Sequence, residues 1–99
     1  MHGEVTPTVF SLSPCHPNPF TAGSTMRLAL PEPGRVTVRI YDPAGRLVRT
    51  LVDERMPAGE HGVVWDGRDG TGRHVASGVY FVRAEAGRQS SSRKVVLLR

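Results

Sequence analysis

Apolar residues recur at every second position through most of this chain. That spacing suits extended strands, whose successive side chains point to opposite faces, and not helices, whose faces repeat every three to four residues. The alternation is clearest around one stretch. An apolar run ends at Trp65, another begins at Val79, and Gly67, Gly70 and Gly72 punctuate the segment between them. Glycines at that density mark a loop needing positive φ at some positions. No segment carries a convincing helical period, so the chain is expected to be built from strands and turns.

Taken in order, residues 1–8 are polar and read as a flexible lead-in, and Val9-Phe10-Ser11-Leu12 as a short strand. Three prolines in Ser13–Phe20 exclude a helix and predict a stiff, extended connector, with Phe20 placed to plug the end of a core. Thr25–Leu30 sets Met26, Leu28 and Leu30 on one face, and Arg35–Tyr41 does the same with Val36, Val38 and Ile40. Joined by Pro31-Glu32-Pro33-Gly34, these two strands are expected to form a hairpin. Asp42-Pro43-Ala44-Gly45 has the residue preferences of a type I turn. The following strand, Arg46–Val52, leaves its inner face open, because Leu47 and Leu51 share one side and Val48 and Val52 the other; a bulge would reconcile them. Asp53–Gly59 reads as a polar loop. Strands then follow at Glu60–Trp65, with Val63 and Trp65 inward, at Val79–Ala86, with Tyr80 and Val82 inward and Phe81 exposed, and at Ser92–Arg99. About seven short strands in ~100 residues predict an all-β, immunoglobulin-like antiparallel sandwich over residues 9–99.

Composition narrows the function. The net charge is +4, but the thirteen Lys and Arg residues are scattered from Arg27 to Arg99 rather than gathered in one run, which argues against a nucleic-acid binder. The one cysteine, Cys15, excludes an internal disulfide. No apolar run approaches the length of a membrane span, and the first residues lack the apolar core of a signal peptide. Export would therefore depend on a signal carried by a longer parent chain.

Candidate chemical sites are weak. Asp66-Gly67-Arg68-Asp69-Gly70-Thr71-Gly72 has the look of a calcium loop, yet only Asp66, Asp69 and Thr71 supply side-chain oxygens, where calcium takes six to eight ligands. The reading preferred is a tight turn in which the aspartates accept bonds from loop amides. The loop lacks the Gly-Lys-Ser/Thr ending of a phosphate cradle. Cys15 and His16, with His2, His61 and His74 at unrelated spacings, do not form a zinc set. Asp69, His74 and Ser77 are neighbours in sequence, which is no triad without geometry. No catalytic residue, metal ligand or cofactor is expected.

The ordered set Pro17-Asn18-Pro19-Phe20, Thr25-Met26-Arg27-Leu28, Pro31-Glu32-Pro33-Gly34, Ile40-Tyr41-Asp42-Pro43-Ala44-Gly45-Arg46 and Lys94-Val95-Val96-Leu97-Leu98-Arg99 resembles the C-terminal sorting domains of type IX secretion cargo. Trp65-Asp66-Gly67-Arg68-Asp69 followed by Ala76-Ser77-Gly78-Val79-Tyr80-Phe81 also resembles the immunoglobulin-like domain of the flagellar hook-capping protein. The likeness runs over residues 9–99, with Ser13-Pro14-Cys15-His16 replacing the Asn/Tyr-rich lead usual in sorting domains. It implies a noncatalytic module of a larger secreted or cell-surface protein. In sorting domains Gly78, Tyr80 and the end formed by Lys94, Val95, Val96, Leu97, Leu98 and Arg99 would be recognised by the export or attachment machinery. The alternative implied by the second likeness is a structural spacer or assembly domain.

Overall fold

The computed structural model describes residues 6–99; of the lead-in, residues 1–5 lie outside the described residues, and His2 with them. Seven strands make up the fold: β1 (Ser11–Leu12), β2 (Ser24–Leu30), β3 (Gly34–Tyr41), β4 (Leu47–Met56), β5 (Gly59–Trp65), β6 (Gly78–Ala86) and β7 (Gln89–Leu97). No helix occurs among the described residues. A three-stranded sheet, β1-β2-β5, faces a four-stranded sheet, β4-β3-β6-β7, and every strand pair in both is antiparallel. The expected immunoglobulin-like sandwich is what the alternation builds.

The core lies between the layers. All ten inward residues named from the alternation are buried, from Met26 on β2 to Val82 on β6. Trp65 is completely enclosed. Phe20 packs against it with the rings tilted 59° and 5.5 Å between centroids, and Tyr80 meets it edge-on at 5.1 Å. The polar tips of both larger rings are satisfied: Trp65 Nε1 donates to Arg68 O at 2.9 Å, and the Tyr80 hydroxyl donates to Ala76 O at 2.7 Å. Removing a ring of this size from a closed core costs ~3–5 kcal/mol.

Three local expectations need correction. β2 and β3 do not form a hairpin; they lie in opposite sheets, with β2 between β1 and β5 and β3 between β4 and β6. Pro31 and Pro33 remove two of the N–H donors that a continuing ladder between these strands would use, and two strands with one apolar face each bury both faces by stacking across the sandwich. Asp53–Met56 is not loop: β4 continues to Met56, paired with β3 as far as Gly34. The polarity misled because β4 is an edge strand of its sheet, where charged residues are tolerated and discourage foreign pairing; Arg35 Nη2 meets Asp53 Oδ1 there at 2.8 Å. The terminal strand runs Gln89–Leu97, earlier at both ends than its apolar content suggested. Ser13–Phe20 is the extended connector expected, with Phe20 buried in the core, and it is anchored along its length: His16 bridges Thr25 on β2 and Phe20 bridges Leu97 on β7. The ambiguity in β4 is resolved by register shifts opposite Val38/Arg39 and Ile40/Tyr41. They leave Leu51 and Val48 as the extra residues, and Val48, Leu51 and Val52 all pack against the core.

Candidate recognition surface

The loop between β5 and β6 is built by its aspartates. Asp69 Oδ1 accepts from the amide of Thr71 (2.9 Å), the hydroxyl of Thr71 (2.7 Å) and the amide of Arg73 (3.1 Å). The Thr71 hydroxyl, then the Thr71 and Arg73 amides, hold the Asp69 carboxyl below its ordinary value. Asp66 Oδ1 accepts from Arg49 Nη1 at 2.7 Å and the Arg68 amide at 3.1 Å. The carboxylates are thus engaged with loop amides and guanidinium groups, as the turn reading expects. Among the described residues no group of three or more His, Cys, Asp or Glu side chains comes together in a metal-holding arrangement.

Asp42-Pro43-Ala44-Gly45-Arg46, between β3 and β4, has the same construction. Asp42 Oδ1 accepts from the amides of Ala44 and Arg46, both at 2.9 Å. In each loop the aspartate and the arginine four residues on close a backbone bond, Asp42 N to Arg46 O at 3.0 Å and Asp69 N to Arg73 O at 2.8 Å. In each the intervening glycine, Gly45 or Gly72, has φ near +84° or +90°. The two loops are neighbours, for Gly70 N donates to Val48 O at 3.1 Å just beyond the first.

The other candidate sites come apart in the same way. Ser77 Oγ accepts from the Arg99 amide at 2.8 Å, while Asp69 is held by Thr71 and Arg73, so Asp69, His74 and Ser77 are each committed elsewhere or exposed. Cys15 is buried and His16 exposed, so adjacent side chains face opposite ways. Burial pushes the Cys15 thiol up, and the weaker pull of Arg93 lowers it. His61 Nε2 lies 2.7 Å from Pro57 O.

The eight residues implied by the sorting likeness divide into two sets. Tyr80, Val95 and Leu97 are buried in the core. Lys94, Leu98 and Arg99 are exposed, and Gly78 and Val96 half-buried. Arg99 is also tied down: its Nη2 donates to Gly67 O at 2.6 Å and its Nε to Val75 O at 2.9 Å. The φ of +78° at Gly67 favours glycine, and a side chain there would also displace the flexible end of Arg99, whose Nη2 lies 2.7 Å from the position of a Cβ.

Sequence reasoning did not find what closes the outer edge of β7. Asn18 Nδ2 donates to Lys94 O at 3.0 Å, and Val96 N donates to Asn18 Oδ1 at 2.9 Å. Phe20 continues the closure, donating to Val96 O at 2.9 Å and accepting from Leu98 N at 2.8 Å. Asn18 acts as a strand residue through its side chain. The signal was an amide-bearing residue between two prolines, where the flanking Pro17 and Pro19 lack N–H groups of their own.

The family model of the FlgD Ig-like domain matches residues 18–90. The basal-body rod modification protein FlgD of Salmonella typhimurium is 32% identical over 88 residues, which cover 86% of this chain and 38% of that protein. Two solved structures carry the same fold: FlgD from Xanthomonas campestris, whose structure bears on the hook capping essential for flagellar assembly (27% identity, TM-score 0.62, 86% of this chain and 64% of that one), and PorZ of Porphyromonas gingivalis, a surface component of the type IX secretion system (26% identity, TM-score 0.57, 86% and 11%). The dimeric latent PorU of Porphyromonas gingivalis shares the fold at TM-score 0.67 and 22% identity over 85% of this chain and 9% of that one. The chain spans well under half the length of the curated relatives it matches.

Proposed function

The chain belongs to the FlgD Ig-like domain family, and from that premise we propose that residues 9–99 act as a noncatalytic module of a larger secreted or surface protein, recognised as a sorting or attachment unit by a type IX-like export machinery. The observation that carries this reading is the division of the terminal strand. Val95 and Leu97 close the core, while Lys94, Val96 and Leu98 present side chains outward. Recognition is of the folded strand's outer surface, because Asn18 and Phe20 already occupy its edge over Lys94–Leu98. Addition of a partner strand there would have to displace them. Likeness to a surface component of the type IX system supports the assignment.

That covered edge also favours a second reading, a spacer or assembly domain of the kind found in the hook-capping protein, since a closed edge suits a rigid structural unit. The two separate in a surface-delivery assay. A reporter fused ahead of the chain, in a host with type IX export, is expected to stall before the surface when Lys94→Glu and Leu98→Asp are combined, both positions being exposed. Normal delivery of the folded variant would remove the sorting reading and leave the assembly one.

A further inference from the structure

The outer face of the β4-β3-β6-β7 sheet is laid out in rows. Strand register puts Leu47, Tyr41, Phe81 and Lys94 in one line across all four strands. Beside it on one side lie Val79 and Val96, paired on β6 and β7. On the other side Arg39 on β3 stands directly opposite Arg83 on β6. Leu47 is 56% exposed and Phe81 39%, so the apolar line is open to solvent. Between the Asp42 turn and Phe81 the surface dips into a shallow depression of about 430 Å³, floored by Tyr41 and Phe81 and bordered by Arg83 and Ser92.

One feature of this face works against the fold, and another is spread wider than the fold requires. Like charges directly opposite on neighbouring strands are destabilising, and Arg39 opposite Arg83 is such a pair. Elsewhere on the same face the charge is matched within the chain, as in Arg35 with Asp53 at 2.8 Å. Arg83 reaches Glu85 only at 3.6 Å, and Arg39 forms no ion pair among the described residues. Exposed aromatic area beside arginine is the composition enriched at the centres of protein interfaces. With Lys94 at the far end of the apolar line, cations border the aromatic floor on two sides.

We infer that this face docks an acidic peptide segment of a protein partner, with an apolar side chain seated on Tyr41 and Phe81 and carboxylates meeting Arg39 and Arg83. The inference rests on the reading of the chain as a protein-recognition module and supplies the chemistry of the partner. Charge complementarity picks this occupant: carboxylates relieve the Arg39/Arg83 repulsion, whereas a second copy of the chain would bring the same cations face to face, and a neutral sugar would leave them uncompensated.

The test is titration of the ¹⁵N-labelled full chain with a capped peptide alternating aspartate and phenylalanine, followed by amide shifts. Saturable shifts centred on Tyr41, Phe81 and Lys94 are expected, weakening as salt rises. Arg39→Glu or Arg83→Glu should each loosen binding by about tenfold or more. Arg39→Gln, which keeps most of the aliphatic stem and the fold, should loosen it in the same direction, and so should Phe81→Ala. An equal response to the peptide with lysine in place of aspartate, scattered shifts without saturation, saturation instead by cellohexaose, or self-association of the chain through this face would each overturn it. Peptide binding alongside normal delivery of the Lys94→Glu/Leu98→Asp variant keeps the docking face and discards the sorting role; stalled delivery of that variant without peptide binding does the reverse.

Discussion

Asp42 and Asp69 perform one task in two loops, and the text of the chain records it as Asp42-Pro43-Ala44-Gly45-Arg46 and Asp69-Gly70-Thr71-Gly72-Arg73. Each carboxylate gathers amides two and four residues on, and the glycine at the fourth place takes the positive φ that lets the chain return. The first copy was legible as a turn because Pro43 preset it. The second was legible only in outline, because the same residues also suit an oxygen-rich cation loop, and spacing alone does not say whether a carboxylate faces its own amides or a guest. Both carboxyls are held below the ordinary carboxylate range, Asp42 chiefly by the Arg46 amide and Asp69 chiefly by the Thr71 hydroxyl. The folded state therefore binds these protons less readily than the unfolded one. Their contribution is present above the unfolded value of about 3.9 and is lost as pH falls through the lower folded values. Asp69→Asn retains an acceptor oxygen but cannot titrate. Its thermal midpoint should be lower than the parent's near neutrality and should fall less steeply on acidification below about pH 4, as measured by melts across a pH series.

At the scale of elements, strand existence was legible and strand partnership was not. Alternation marks which residues face a core; it does not say which strand lies alongside and which lies across, and so Met26–Leu30 and Val36–Ile40 were read as neighbours when they face one another. Polarity likewise hid Asp53–Met56, since an edge strand has half its environment in water. The closure of β7 by Asn18 was hidden for a different reason: a side chain doing the work of a backbone leaves no periodic trace. Asn18→Ala removes both of its bonds to β7. At about 0.5–1.5 kcal/mol for each exchanged hydrogen bond, a destabilisation of about 1–3 kcal/mol is expected. The Val96 amide should lose protection in hydrogen exchange while Tyr80 and Val82, deep in the same sheet, keep theirs relative to global unfolding. Unchanged exchange at Val96 would show that the side-chain bridge does not hold the edge.

For the whole molecule, the terminal segment is an integral part of the core and its closure. Val95 and Leu97 are fully buried, and Arg99 secures the β5–β6 loop at Gly67 and Val75. Deleting Lys94–Arg99 removes two core side chains worth ~1.5–3 kcal/mol each, along with the closure of one sheet. Against a typical total of about 5–15 kcal/mol, that loss should leave most molecules unfolded. The shortened chain is expected to lack dispersed amide signals and a cooperative melt; a folded truncation would refute the placement of Val95 and Leu97. The sorting likeness marks the segment as a linear motif, and a linear motif does not reveal that two of its six side chains, Val95 and Leu97, point inward. The pairing of Asn18 and Phe20 with Lys94–Leu98 joins stretches far apart in the chain. A polypeptide emerging amino end first holds half of that joint ready across a separation of 76 to 78 residues with nothing to receive. The sandwich can therefore seal only after Leu98 has been made and has reached Phe20, so closure of this unit waits on its last strand.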